Sequence, residues 1–503
     1  MTMRESGILM HISSLPGPYG IGTMGSAAYH FVDFLEQAGQ SCWQILPLTP
    51  TGYGDSPYQS FCSSAGNPYL IDLDLLVKQG LLKPQELQKI DWGNNPRRVD
   101  FGIQFQNRLA VLDLACSRFV PDEKYRVFIS ENQEWLEDYA LFMALKEEYG
   151  GKAWLEWPEP VRLRDPNALA EKRKSLSGQI QQHFFQQYVF SCQWKALRRY
   201  ANEKGIRIIG DVPIYVPLDS ADVWANPTLF QLDERRRPKL VAGCPPDAFS
   251  ADGQLWGNPL FDWQAMANTG YRWWIRRLKV AAGLYDVVRL DHFRGFESYW
   301  AIPAGEDTAK NGPWLKGPGM NFLGAIRKAL PDLDFIAEDL GYVTDQVRQM
   351  QLEFGYPGMK VMEFAFDSRE AGNYLPHLYP VESVVYTGTH DNVTLKQWFD
   401  EAAPEDIAYA KAYLGLNSEE GYTWGMIRGA MSSVSRLCMV QMQDYLELGK
   451  EGRMNYPGTL SSDNWTWRAP DGFDSLALAE KIQAMTRLYG RLATCPAKSR
   501  TGQ

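Results

Sequence analysis

Eight short β-rich runs recur along this chain, most of them flanked by a stretch with helical periodicity. The first is Gly7-Ile-Leu-Met-His11. It is followed by 27–38, where Phe31, Phe34, Leu35 and Ala38 fall at i, i+3, i+4 and i+7, with Gly39 as a helix stop. The next runs are Cys42–Leu46, Ile206–Val212, Asp286–Leu290 and Phe335–Ala337. Then come Lys360–Phe366, Val384–Thr387 and Leu437–Met442. Helical patterns precede the later runs, among them Trp194/Leu197/Ala201, Trp274/Leu278/Ala281 and Val347/Met350/Phe354, the last with Thr344 as N-cap. Strands alternating with helices form parallel βα units, and eight of them predict a closed (β/α)8 TIM barrel. The alternative is an open doubly wound sheet. No GxGxxG follows any run, which counts against it.

The spacing of the runs is uneven. About 165 residues separate the second from the third, where one βα unit needs roughly 30. Residues 55–195 therefore read as a large, mostly helical inserted subdomain that either extends the groove of the barrel or braces it, bracing being the simpler expectation, with 1–54 and 196–503 as the catalytic barrel. Long loops follow the third strand, at 213–262, and the seventh, at about 393–435. Each excess leaves from the C-terminal end of a strand, the face on which barrels build active sites.

At those strand ends the chain is acidic: Asp211 after the third, Asp291 after the fourth, Glu338 and Asp339 after the fifth, and Asp391 after the seventh. Three of the six histidines, His11, His292 and His390, fall there too. Any one of these Asp residues alone is a common helix N-cap. Four acidic ends of one barrel would converge on a single cleft. Several acids in one cleft, without a cysteine, phosphate loop or zinc spacing among them, suit glycosyl transfer. A retaining enzyme needs a carboxylate nucleophile and a protonated acid that becomes a base. Arg289 lies two residues before Asp291, on the same side of a strand, and is expected to hold Asp291 ionised. Glu338, crowded by other carboxylates, is expected to stay protonated.

Composition narrows the partners. Lys and Arg total 51 against 60 Asp and Glu, a net charge of −9, which opposes nucleic acid. The 17 Trp and 25 Tyr supply rings with a polar tip, suited either to an aromatic core or to stacking on a hydroxyl-rich ligand. Seven cysteines, an odd number with no CxxC pair, predict a reducing, cytoplasmic setting. The N-terminal segment lacks a signal-peptide layout, and no apolar stretch approaches about 18 residues, so no membrane association is expected. No dinucleotide fingerprint, P-loop or metal-ligand spacing is present; no cofactor and no metal are expected.

The strand-end segments Arg289-Leu-Asp291-His292-Phe-Arg-Gly, Ala337-Glu338-Asp339-Leu-Gly and Thr389-His390-Asp391-Asn392 resemble those of the α-amylase clan. Further motifs narrow the resemblance to the 4-α-glucanotransferases, also called amylomaltases or disproportionating enzymes. These are Ser6–His11 with Ser13–Gly22, Ser56-Pro-Tyr58, Gly66–Tyr69, Gly210-Asp211-Val-Pro-Ile-Tyr215, Pro245–Phe249 with Gly253–Asn258, and Arg453-Met-Asn455-Tyr-Pro-Gly458 with Asn464-Trp465. The resemblance runs from about residue 4 to about 468. It implies Asp291 as nucleophile, Glu338 as acid/base and Asp391 as transition-state stabiliser. It implies substrate contacts at Arg289, His390, Asp211, Ser56, Tyr58, Phe249, Trp256 and Asn464, with Tyr58 as the donor-sugar platform and the Phe249–Trp256 loop on the acceptor side. The implied partners are α-1,4-glucans such as maltooligosaccharides derived from glycogen or starch, with glucose or a maltodextrin as acceptor. The alternative is a retaining α-1,4-glucan hydrolase. Two departures stand out. Phe101 lacks the aromatic hydroxyl that the family often carries near Asp100. The clan's histidine after the third strand is absent from Val212–Pro217, which disfavours an ordinary α-amylase and its calcium site.

Overall fold

A computed structural model describes residues 4–52, 54–246, 252–367 and 374–492. Twelve strands occur among them: β1 (Glu5–Leu9), β2 (Cys42–Gln44), β3 (Arg207–Val212), β4 (Leu240–Cys244), β5 (Gln254–Pro259), β6 (Val287–Leu290), β7 (Ser298–Pro303), β8 (Trp314–Lys316), β9 (Asp334–Ala337), β10 (Gly358–Val361), β11 (Ser383–Tyr386) and β12 (Leu437–Gln441). Eight of them close in the order β1-β2-β3-β6-β9-β10-β11-β12, and every neighbouring pair is parallel. The fold is a (β/α)8 barrel.

Alternation along the strands explains why it closes. Cys42, Ile209, Val287, Ile336, Met359, Val361, Val384, Tyr386, Leu437 and Met439 form one buried cluster inside the barrel. Their chain neighbours Trp43, Ile208, Val288, Phe335, Val385 and Cys438 belong instead to the larger core shared with the helices. Successive side chains on a strand face opposite ways, so each strand serves two cores at once. The same parity carries Asp211 and Arg289, which are paired in register, to the inner side at the strand tops.

Gly210 keeps one of these strands close to its cover. A Cβ there would lie 2.1 Å from the ring of Tyr285, whose hydroxyl accepts a hydrogen bond from the Leu48 N–H. Gly210→Ala is expected to lower stability by about 1–3 kcal/mol through overpacking, read from urea or thermal unfolding. An unchanged unfolding midpoint would show that the ring yields freely.

The stretch between β2 and β3 is helical, with Phe101–Cys116, Glu123–Glu148 and Ser177–Glu203 as its long members. The last helix runs unbroken across residue 195 and stops at Gly205 (φ 76°). It grips the loop after β2 through two side-chain amides. Gln187 exchanges hydrogen bonds with both backbone groups of Gly66, and Gln193 does the same with Asp72. Trp194 is fully buried and donates to the Leu284 carbonyl.

Two details differ from the sequence reading. Of the segment 360–366, Lys360 and Val361 close β10, and the chain then winds into a 3-10 turn, Met362–Phe366. Four strands that the periodicity did not reveal build a separate antiparallel sheet, β5-β4-β7-β8, from the loops after β3 and β6. Among the described residues no helix is long and apolar enough to cross a membrane.

Candidate active site

Arg289 is the hub of the cleft. Its side chain is buried at the top of β6, and one nitrogen, Nη1, donates to Asp211 Oδ2 at 2.6 Å and to Asp291 Oδ1 at 3.0 Å. Tyr58 donates its hydroxyl to the same Asp211 oxygen at 2.7 Å. Burial pushes the Asp211 carboxyl up to about 6, against the pull of Arg289. Two flanking carboxylates outweigh the cost of burial for the guanidinium and hold it charged.

Asp291 follows β6 directly, with its N–H on the Val212 carbonyl. One of its oxygens is taken by Arg289, and its side chain is only partly buried. The next residue, His292, adopts the left-handed region (φ 52°, ψ 49°), where a non-glycine residue is strained. That turn aims the His292 N–H at Glu338 Oε2, 2.7 Å away. The Leu340 N–H holds the other oxygen at 2.9 Å. Adjacent residues of one turn thus carry Asp291 and anchor Glu338. Burial raises the Glu338 carboxyl to about 7, with Asp291 adding to the rise and Arg289 and the two backbone donors opposing it. The sequence reading assigned this rise to crowding by carboxylates. The larger cause is desolvation.

Asp391 lies on the opposite course. Burial alone would raise it, but His390 (Nε2 to Oδ2, 3.3 Å), Asn455 (Nδ2 to Oδ1, 2.6 Å) and Arg289 together bring it down to about 2. His390 rises in turn, since the attraction of Asp391 outweighs its burial. The His390 ring stacks on Tyr58 (centroids 5.1 Å, 16° between planes), and Trp465 leans on both rings. Tyr58 therefore ties Asp391 and its partner to Asp211 and Arg289. Environment has driven two carboxyls of one cleft to opposite ends of their range, the condition for an acid and a fixed anion at neutral pH.

The remaining expected residues divide. Trp256 on β5 meets the His292 ring edge-on at 4.9 Å, so the antiparallel sheet brings it to the cleft mouth. The Ser56 hydroxyl accepts from the Tyr58 N–H and sets the turn that offers the ring. Asn464 spends its amide inside its own loop, accepting from the Tyr456 N–H and donating to the Thr459 carbonyl. Phe249 lies outside the described residues. Among the described residues no group of three or more His, Cys, Asp or Glu is disposed to hold a metal ion. The sequence reading left Asn455, Arg453 and Trp465 out of the site, although all three stand in motifs it singled out. It also passed over Glu363, an acid at the end of β10 that reading 360–366 as one strand had concealed.

Comparison with known proteins follows the same line. A family model described as 4-alpha-glucanotransferase matches residues 10–474. A 4-alpha-glucanotransferase of Clostridium butyricum is 48% identical over 486 residues, covering 96% of this chain and 100% of that protein. One from Thermus thermophilus is 46% identical, covering 97% and 99%. The solved structure of amylomaltase from Streptococcus agalactiae in complex with acarbose is similar with a TM-score of 0.94 at 42% identity, covering 97% of this chain and 99% of that one. Amylomaltase from Corynebacterium glutamicum, at 18% identity and a TM-score of 0.73, covering 99% and 75%, shares the fold.

Proposed function

The chain belongs to the 4-alpha-glucanotransferase family, and we propose that it runs the family's reaction with Asp291 as nucleophile, Glu338 as acid/base and Asp391 as transition-state stabiliser. The enzyme moves a segment of an α-1,4-glucan from a donor maltooligosaccharide to the 4-hydroxyl of an acceptor glucan or glucose, with retention. Asp291 attacks the anomeric carbon, and an ester bond to the sugar forms as the glycosidic bond breaks. Glu338 gives its proton to the departing 4-oxygen. It then takes the proton of the acceptor 4-hydroxyl, whose oxygen displaces Asp291. Asp391, ionised throughout, faces the positive charge of the oxocarbenium-like transition states. Arg289, His390, Asp211, Tyr58 and Trp256 fit as sugar contacts and supports. On this reading Ser56 and Asn464 serve by ordering their loops.

The observation that carries the assignment is the His292 turn, which joins the partly exposed Asp291 to a Glu338 whose carboxyl is raised to about 7. A nucleophile must be open to the sugar while its neighbour keeps a proton; Asp291 is partly exposed beside Arg289, and the Glu338 carboxyl is raised. Incubation with maltotriose tests the activity. Glucose and a ladder of longer maltodextrins, with little gain in reducing ends, is the expected result. Conversion to glucose and maltose with rising reducing ends would assign a hydrolase instead.

Asn455 offers a milder test of Asp391. Asn455→Ala removes its 2.6 Å hydrogen bond and is expected to lower kcat about tenfold, the worth of one bond to a charged group. Unchanged turnover would detach Asp391 from the chemistry. The same reading takes 55–195 as a subdomain that braces the barrel, supported by the buried Trp194, which donates to the Leu284 carbonyl of the barrel. It also takes the enzyme as cytoplasmic, supported by the seven cysteines without a CxxC pair.

A further inference from the structure

Below the turn that presents His390 and Asp391 lies an acid that the reaction does not use. Glu363 sits in the 3-10 turn after β10 and is buried. The side chain of Asn392 lies beside its carboxyl and pulls it toward the charged form, while Oε1 has no hydrogen-bond partner among the described residues. Asn392 is the clamp of the catalytic turn. Its Oδ1 accepts from both the N–H and the hydroxyl of Thr389, and the Thr389 hydroxyl accepts from the Asp391 N–H. An amide whose oxygen is fully engaged has only its nitrogen left to offer, and the Glu363 carboxyl is the acid beside it. The fit is tight. A Cβ on Gly388 would lie 2.7 Å from Glu363 Oε1, 2.8 Å from Gln441 Nε2 and 3.2 Å from Asn392 Cβ.

We propose that Glu363 is a positioning residue for the transfer reaction: it fixes the Asn392 amide, and through it the turn that aims Asp391 at the sugar. It does so without charge. Arg453, a cation whose charge reaches it, directs its guanidinium to the Asn455 and Asp391 carbonyls. Burial, with Asp444 beside it, pushes the carboxyl well above the ordinary range against the pull of Arg453 and Asn392. A neutral acid can be replaced by an amide of the same shape. The inference rests on the role given above to Asp391.

The test compares Glu363→Leu, Glu363→Gln and Asp391→Asn in the full-length enzyme, with kcat and KM on maltotriose and melting temperature for each. Glu363→Leu is expected to lose at least tenfold in kcat with KM within about twofold. Glu363→Gln should return kcat to within about threefold of the parent. A structural prop would move the melting temperature and leave kcat alone. The inference is overturned if Glu363→Leu keeps its kcat, if the loss falls on KM, or if the Gln variant is as damaged as the Leu variant. Should Glu363→Leu fail to fold, Asn392→Ser breaks the same link from its other end. It must then show the same split, and an intact kcat there overturns the inference equally. Asp391→Asn separates the two levels. An active Asp391→Asn removes the stabiliser role itself, whereas an inactive one beside an unimpaired Glu363→Leu removes only the inference.

Discussion

Asp291→Asn is expected to lose transfer activity by about 10⁴-fold or more, the scale on which removal of a covalent nucleophile acts. The substitution keeps the size of the side chain and an oxygen for Arg289 Nη1, so the hub of the cleft survives. What goes is the negative oxygen that must bond to the anomeric carbon. KM for a maltooligosaccharide donor should change little, because the sugar contacts proposed above lie elsewhere, on Tyr58, His390 and Trp256. The measurement is the initial rate of glucose release from maltotriose, with unfolding followed in parallel to show that the fold is intact. Residual activity near the parental level would take the nucleophile role away from Asp291 and leave Asp211 or Asp391 to be tested in its place.

Glu338→Gln is expected to cost about 10²–10⁴-fold on natural donors, the usual worth of a positioned acid/base. Two further results distinguish this role from damage. A maltosyl fluoride donor has a leaving group that needs no proton, so Glu338→Gln should form the glycosyl-enzyme from it readily and stall before transfer to the acceptor. The pH profile gives the second. Glu338 must be protonated for the first half-reaction, and its carboxyl is raised to about 7. In the parent enzyme kcat/KM should therefore be flat below about pH 7 and fall about tenfold per pH unit above it. The falling limb should be absent in Glu338→Gln. A parent profile that falls only from pH 9 upward would show that another group supplies the proton.

These expectations rest on parts of the molecule that differ in how far the sequence reveals them. Parity did much. Ile209 and Asp211, like Val287, Arg289 and Asp291, share a side of their strands. A period of two therefore places the acids above the barrel interior before any coordinates exist. Caps and stops such as Thr344 and Gly205 are equally local, and they appear where the residues demand. The antiparallel sheet is a different matter. Its strands lie in two separate loops, and the β4–β7 pairing of Val241 with Ile302 leaves no mark on either segment alone. Asn455 reaches Asp391 across more than sixty residues of chain, a contact set by how a loop folds back and not by spacing. The cause of the Glu338 shift was hidden for the same reason, since desolvation depends on everything packed around a group. Glu363 shows a local misreading with a distant consequence. Taking 360–366 as one strand placed the acid inside β structure and hid a fifth acidic strand end, the one beneath the catalytic turn.

The central claim is a covalent intermediate on Asp291, with Glu338 acting on both sides of it. Its most direct measurement is mass spectrometry of Glu338→Gln after exposure to maltosyl fluoride without an acceptor, followed by proteolysis and peptide sequencing. The account predicts one maltosyl adduct per chain, attached to Asp291 and still in place when glucose is added, since Glu338→Gln lacks the base that the acceptor needs. An adduct on Asp211 or Asp391, or turnover of the fluoride with no adduct on the chain at any time, would contradict it.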